Sequence, residues 1–371
     1  MKLIHIADLH LGKQMGDRLL LEEQEAVLQQ IVSIAADEKA DGVLIAGDVY
    51  QRSAPQAEAM TVFDHFVSQL VEMGKKVFII SGNHDSAQRI SYFSALVRNA
   101  GVYVTETFDG HLQHVTLEDR DGPLNVWLMP FLRPTQVKRL LPEAKIVTYQ
   151  DAVTAVLEAS EIDFSKRNVL LCHQFISGCE TTGDEEKAVG GLDQIDGRVL
   201  DGFDYVALGH IHGPQRVLRD TMRYAGSPLK YSFSEVRHKK SVTVVDLQEK
   251  GEVKVKTVPL YPLHDVRLVE GMLADVMEMD FSEDFVWVTI HDELPPPDAK
   301  VSITNVFPNM LKFSVVNSRT KYDMDVQALR ALENKKAIEL FCDFYRLQNN
   351  DQLPNETQMK ILEKITRELE V

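Results

Sequence analysis

Short apolar runs and amphipathic stretches alternate from the start of the chain. Leu3 to Ala7, Gly42 to Ala46 and Lys76 to Ile80 are too short for helices and read as buried strands. Leu20 to Glu38 and Pro55 to Met73 repeat apolar residues at helical spacing and read as the helices between them. A β-α-β-α-β rhythm of this kind predicts a mainly parallel sheet. Beyond about residue 100 the strand candidates are His111 to Leu117, Leu124 to Met129, Asn168 to Cys172, Tyr205 to Leu208 and Ser241 to Leu247. Fewer helices separate them, which implies a second, more mixed sheet.

Near residue 260 the pattern changes. Pro259 and Pro262 lead into an acidic stretch, and the run Pro295-Pro296-Pro297 cannot lie inside a regular element. Three segments are therefore expected: 1–262, 263–330 and 331–371. The middle one reads as strand (Val266 to Val269), helix (Met272 to Met279), strand (Phe285 to His291), helix (Asp298 to Val306), strand (Leu311 to Val316). The last segment reads as helical, with Phe341, Phe344 and Tyr345 on one face. Pro354-Asn355 opens a second helix there, with Asn355 and Gln358 at capping-box spacing. Two isolated helices are marginal in water, so this face predicts a surface to pack on, in its own chain or in a partner.

Composition narrows the class. The chain has 371 residues, 44% hydrophobic and 26% charged, enough for two or three domains with a sizeable core. No apolar run approaches the roughly 18 residues of a membrane helix, so neither an anchor nor a secretory signal is expected. Cys172, Cys179 and Cys342 are odd in number and widely spaced, which suggests neither a disulfide framework nor a zinc ribbon and makes the cytoplasm the natural compartment. A formal charge of -16 argues against coating nucleic acid by bulk electrostatics, although a local basic groove is compatible with it.

The chemistry gathers in five short blocks: Asp8-Leu9-His10, Gly47-Asp48, Gly82-Asn83-His84-Asp85, Cys172-His173 and Gly209-His210-Ile211-His212. Each follows a strand candidate, and the carboxyl ends of neighbouring strands form one edge of an open α/β sheet, so the blocks can converge on one crevice. What converges is Asp8, His10, Asp48, Asn83, His173, His210 and His212, too many donors for one four-coordinate ion. They suit two six-coordinate ions that share a carboxylate, with Asp48 as the expected bridge. Mixed oxygen and imidazole donors without thiolate favour manganese or iron over structural zinc. Two such ions activate water for displacement at phosphorus, so phosphate-ester hydrolysis is the expected reaction class. His84 is left beside the site to stabilise the phosphorane or protonate the leaving oxygen, with Asp85 expected to set its tautomer. An isolated Gly-Asp pair is usually a turn, as expected for Gly16-Asp17 and Gly183-Asp184. His5, His65, His111, His114, His238, His264 and His291 likewise lack a chemical context.

The blocks D-x-H, G-D, G-N-H-[DE], H and G-H-x-H, in that order, are the signature of the calcineurin-like metallophosphoesterases, which this chain resembles. The resemblance implies an α/β four-layer sandwich, two mixed sheets flanked by helices, carrying a small α+β capping domain and C-terminal helices. It also implies that Asp8, His10, Asp48 and His212 hold one metal and Asp48, Asn83, His173 and His210 the other. Within the family, Ile6 to Lys13, Ala46 to Tyr50 leading to Ser53-Ala54-Pro55, and Tyr224 to Glu235 resemble a branch of DNA-end nucleases over essentially the whole chain. That branch implies two Mn2+, with iron or magnesium as alternatives. It also implies 3′ to 5′ exonuclease action on duplex ends and endonuclease action on single strands and hairpins. The implied partners are a second copy of the chain, in a homodimer built on nuclease-domain helices, and a coiled-coil ATPase gripped by the C-terminal helices in a heterotetramer. No G-x-x-x-x-G-K-[ST] occurs in the chain, so any ATP dependence must come from that partner.

Gln51 departs from the branch, whose members carry Asp or His there, and should face the scissile region. Lys13, Arg52 and Arg89 follow metal blocks and are candidates for DNA phosphate contact. A phosphatase or small-molecule phosphodiesterase on the same scaffold is the competing reading. Ser/Thr phosphatases would show G-D-x-x-D-R-G, whereas Gly47-Asp48 is followed here by Val49-Tyr50-Gln51-Arg52-Ser53, and a small substrate requires neither the cap nor the last helices. A metal-free adaptor would be expected to show degenerate ligands, and none is seen.

Overall fold

Successive residues of the central strands face different layers, and that alternation builds the molecule. The computed structural model describes residues 1–181, 194–318, 337–348, 353–355 and 357–362. From strand Gly42–Ala46, Val43 and Ile45 pack with Val27, Leu28 and Ile31 of helix α1 (Leu21–Asp37) and with Phe66 and Leu70 of helix α2 (Ala57–Glu72). Its Leu44 and Ala46 point the other way, into a core shared with Val126, Leu128, Val169, Leu171 and Ala207 of a second sheet. The outer face of that second sheet, through Leu170, Val206 and Leu208, packs on Ala152, Val153 and Val156 of the helix Tyr149–Ala159. The layers are therefore helix, sheet, sheet, helix, the four-layer α/β sandwich that the signature implies.

The first sheet has six strands in the order Val253–Pro259, Ser241–Leu247, Lys2–Ile6, Gly42–Ala46, Lys76–Ile80, Val102–Val104. Its centre is parallel, with Leu3 opposite Gly42 and Val43 opposite Val77. Ser241–Leu247 joins antiparallel beside Lys2–Ile6, with Lys2 opposite Asp246. This corrects the expectation that groups Ser241 to Leu247 with the second sheet. The pairing joins segments far apart in sequence, which local pattern does not encode. The second sheet runs Gln215–Val217, Arg219–Tyr224, Tyr205–Gly209, Arg167–His173, Gly122–Met129, Gln113–Asp119. Gly16-Asp17 is a turn, as expected, in the small hairpin that pairs Gln14 with Leu19; Gly183-Asp184 lies outside the described residues.

The chain divides into two compact units. One comprises residues 1–290 and 296–314, the other 291–295 and 315–371. The first includes two strands, Val266–Gly271 and Phe285–Ile290, paired in parallel with Val266 opposite Phe285, and the short helices Leu273–Met277 and Ala299–Ile303. In the second, Asn355 and Gln358 exchange the reciprocal bonds of a capping box, each 2.9 Å. Tyr345 reaches Gln358 at 3.3 Å, and the ring of the exposed Phe341 lies 6.2 Å from that of Tyr345. The side chain of Phe344 lies outside the described residues, as does the expected boundary at 330/331. All three cysteines are free thiols. Among the described residues no helix is long and apolar enough to cross a membrane.

Candidate metal centre

Adjacent parallel strands of both sheets end at one edge, and the five blocks meet there. Lys2–Ile6, Gly42–Ala46 and Lys76–Ile80 deliver Asp8, His10, Asp48, Asn83 and His84 from the first sheet. Arg167–His173 and Tyr205–Gly209 deliver His173, His210 and His212 from the second. The sheets can approach this closely because position 209 carries no side chain: a Cβ on Gly209 would lie 1.9 Å from the Ala46 carbonyl oxygen. Of the eight non-glycine residues with positive φ among the described ones, Asp8 (54°), His10 (45°), Asp48 (50°) and His210 (103°) are four. Backbone strain of about 1–3 kcal/mol per residue is thus concentrated on donors.

Acceptors face acceptors across the crevice. His173 gives Nδ1–H to the Ala46 carbonyl (2.7 Å), which leaves its Nε2 a lone pair aimed at Asn83 Oδ1 (3.1 Å) and Asp48 Oδ2 (3.3 Å). His212 gives Nδ1–H to Glu235 (2.9 Å), and its Nε2 meets His10 Nε2 at 3.2 Å. His10 Nε2 is in turn 3.6 Å from Asp48 Oδ2, and His210 Nδ1 is 3.1 Å from Asn83 Oδ1. The carboxylate of Asp8 closes the group with His10 and His212 and accepts the His210 backbone N–H at 2.9 Å. Lone pairs packed this way repel unless a cation lies between them, so the donor set fits metal ions with Asp48 at its middle. A proton answers the same repulsion, and a metal ion would displace it. Burial disfavours charge on His173, yet the Asp48 carboxylate beside it overrides this and pushes it up to about 9. Burial pushes His210 down to about 3.

His84 sits half-buried with its ring edge-on to His10 (4.9 Å between centroids), and its backbone N–H donates to Asp48 Oδ1 at 2.9 Å. Asp85 accepts backbone N–H bonds from Gly82 (2.9 Å), Tyr50 (3.0 Å) and Val49 (3.1 Å). Both its oxygens are taken up by that loop, so the support Asp85 gives His84 runs through the backbone, where the sequence suggested a direct bond to the imidazole. Gln51 is half-buried and its N–H bonds the Leu11 carbonyl at 3.1 Å. Lys13 lines a cleft of about 460 Å³ with Tyr231, Phe233 and Lys312. Arg52 and Arg89 are exposed. None of these three cations has a carboxylate partner among the described residues.

Two supports escaped the sequence reading. Gln24, buried in α1, donates Nε2 to the carbonyls of Leu9 (3.0 Å) and His10 (2.8 Å) and accepts the Gly12 N–H (3.0 Å), and the Tyr231 hydroxyl also donates to Leu9. The detectable signal was a glutamine three and four residues before Val27 and Leu28, on the apolar face of a helix. Glu235, fully buried, receives His212 Nδ1–H on one oxygen and Lys240 Nζ on the other at 2.5 Å. Lys240, itself buried, also donates to Ser227 Oγ (2.7 Å) and the His212 carbonyl (2.9 Å). Glu235 stood inside the Tyr224 to Glu235 stretch without a role, and Lys240 gave no signal.

Comparison with known proteins extends this geometry. Residues 1–214 match the family described as calcineurin-like phosphoesterase. A Staphylococcus epidermidis protein named as the SbcD subunit of the nuclease SbcCD is 29% identical over 374 residues, covering 97% of each chain. Among solved structures, TT1561 of Thermus thermophilus aligns with a TM-score of 0.40 at 15% identity, over 69% of this chain and 98% of its own. A dimetal phosphatase from Danio rerio aligns with a TM-score of 0.39 at 12% identity, over 71% and 98%.

Proposed function

Because the chain belongs to the calcineurin-like phosphoesterase family, we propose that it is a metal-dependent DNA nuclease, the hydrolytic subunit beside an SbcC-type coiled-coil ATPase. One observation carries the step from phosphoesterase to nuclease. The relative named as a nuclease subunit matches 97% of each chain, including the segments beyond residue 214 that phosphoester hydrolysis alone does not require. In this reading residues 1–262 are the nuclease domain, 263–330 a cap that selects and opens DNA ends, and 331–371 the helices that grip the ATPase. The activity is 3′ to 5′ exonuclease on duplex ends and endonuclease on single strands and hairpins. It serves DNA end processing in repair, recombination and replication, in the cytoplasm at the nucleoid. The protein works as a homodimer, with α1 and α2 as candidate interface helices, and as a heterotetramer with the ATPase.

Asp8, His10, Asp48 and His212 would hold one ion and Asp48, Asn83, His173 and His210 the other, manganese in the first instance, with iron or magnesium as alternatives. Divalent cations held there would supply an acidified water as nucleophile and neutralise charge on the phosphate oxygens. The remaining work is done by the chain's own residues. Glu235 and the Ala46 carbonyl fix the tautomers of His212 and His173, so that Nε2 of each presents its lone pair inward. His84, beside the ligands without being needed among them, delivers a proton to the departing oxygen, and Asp85 holds the loop that carries it. Lys13, Gln51, Arg52 and Arg89 contact the DNA around the scissile bond.

The test is release of labelled nucleotide from linear duplex DNA with manganese, magnesium or chelator, comparing wild type with Asp48→Asn. Manganese-dependent release that disappears in the variant is expected. Hydrolysis of a generic phosphodiester with no DNA release, even with the ATPase present, would replace the nuclease by the small-molecule phosphodiesterase reading.

A further inference from the structure

A cleft of about 640 Å³ opens beside the metal ligands, within the size range of nucleotide-sized ligand sites. Its lining includes Asn83, Asp85 and Gln88 from the loop after Lys76–Ile80, and Phe131, Arg133 and Arg139 from the segment after Gly122–Met129. The wall that carries the arginines is basic in an acidic protein: residues 130–142 contain Arg133, Lys138 and Arg139 and no acid, in a chain of net charge -16. Arg133 and Arg139 are exposed, and among the described residues neither has a carboxylate partner. Arg133 is not loose, however. Its guanidinium lies 5.4 Å from the centre of the Phe131 ring, and that ring faces His210 at 6.3 Å and 24° and meets His173 edge-on at 6.3 Å. The phenylalanine thus spaces a planar cation at a set distance from two metal ligands. A guanidinium held by its face keeps its N–H edge for a bidentate oxyanion such as a phosphate.

We propose that this cleft is the track of the scissile strand, in which Arg133 and Arg139 grip the phosphate next to the one being cleaved and Phe131 positions Arg133. The proposal rests on the nuclease reading and goes further, because it names what makes the site prefer a polynucleotide strand over a small ester. A chain of phosphates that continues past the reacting bond can meet Asn83 and the two arginines, which line the same cleft. The sequence-based candidates Lys13, Arg52 and Arg89 do not line this cleft.

The test uses the full-length protein and the double variant Arg133→Ala/Arg139→Ala, with Arg133→Lys/Arg139→Lys as its conservative counterpart. Binding of a labelled oligothymidine is followed in chelator across a potassium chloride series. The alanine variant should bind roughly tenfold more weakly, and its log-log salt slope should be shallower by about 1.4, at about 0.7 for each single-strand phosphate no longer neutralised. The lysine variant should keep the wild-type slope. In manganese, the ratio of oligonucleotide to bis(p-nitrophenyl) phosphate turnover should fall by about tenfold in the alanine variant. An unchanged slope and ratio would overturn the proposal while leaving the nuclease reading intact, and so would a parallel fall in both turnovers, which would make the arginines supports of the metal site. A wild type that hydrolyses the small diester but neither binds nor cuts oligonucleotide would overturn the nuclease reading itself.

Discussion

Glu235→Gln separates the support of the metal centre from the centre itself. The carboxylate is fully buried and serves two partners, His212 Nδ1 at 2.9 Å and Lys240 Nζ at 2.5 Å. Replacing it by an amide of the same shape leaves a buried ammonium without its counter-ion, a loss of about 3–5 kcal/mol when a buried pair is broken. Lys240 keeps Ser227 Oγ at 2.7 Å and the His212 carbonyl at 2.9 Å, so the cost belongs near 3 kcal/mol. At about 2 °C per kcal/mol for a chain of this size, the metal-stripped variant should melt roughly 6 °C below wild type. The amide keeps one acceptor oxygen for two donors, so Lys240 competes with His212 Nδ1–H for it, and the weakened orienting bond is expected to lower manganese affinity about 10–100-fold in calorimetric titration. Adding Lys240→Met removes the stranded charge and leaves the amide oxygen to His212 Nδ1–H alone, so the double variant should regain most of both the melting temperature and the manganese affinity. A double variant that regains the melting temperature but not the manganese affinity, or a single variant that binds manganese like wild type, would refute the assignment of Glu235 as the group that orients His212.

Asp48→Asn should abolish metal-dependent hydrolysis on every substrate, because its Oδ2 lies between His10 Nε2 and His173 Nε2 at 3.6 and 3.3 Å; full activity in excess manganese would sink the shared-carboxylate assignment. His84→Ser should retain its metal content while turnover falls by about 10² or more. Loss of metal measured by elemental analysis would instead make His84 a ligand, a role its grouping with His10 and Asp48 permits. Truncation after Arg330 should spare hydrolysis of a small diester and abolish co-purification with an SbcC-type ATPase; persistent binding would refute the role of the last helices. Chelation should leave the far-ultraviolet circular dichroism unchanged and be reversed by added manganese within mixing time. A loss of secondary structure on stripping would show that the ions, rather than the protein, hold the loops.

Much of the site was legible because its chemistry is local. The strands Gly42–Ala46 and Lys76–Ile80 occupy the residues that the apolar runs mark, and the blocks that follow them carry donors whose order is itself a signature. What stayed hidden is long-range. Ser241–Leu247 pairs with residues some 240 positions away, and the strand Val253–Pro259 beside it alternates lysine with half-buried valine and shows no clear apolar run. The supports of the ligands were hidden for the same reason. Lys240 reads as one of two lysines before a strand, and only its burial against Glu235 gives it a function. Asp85 shows a different limit: the motif marks the position, but its carboxylate bonds the backbone of the loops, a contact that the motif does not encode.

These supports explain how a site of mutually repelling acceptors stays assembled. Positive φ at Asp8, His10, Asp48 and His210 and the crowding of lone pairs both oppose the native arrangement, at about 1–3 kcal/mol for each strained residue. Each strained loop carries its own clamp. Gln24 and Tyr231 tie down the loop of Asp8 and His10, Asp85 ties the loop after Asp48 to the one bearing Asn83, and Glu235 with Lys240 holds His212. The clamps bond to backbone or to the outward ring nitrogen, which leaves the inward lone pairs of His173 and His212 for cations. Stability supplied by the two sheets is thereby spent on keeping donors in place before any ion arrives, so binding an ion relieves repulsion and orders no loop. The same logic applies at Arg133, where a cation without a carboxylate is held in place by Phe131, and Phe131 in turn by two of the ligands.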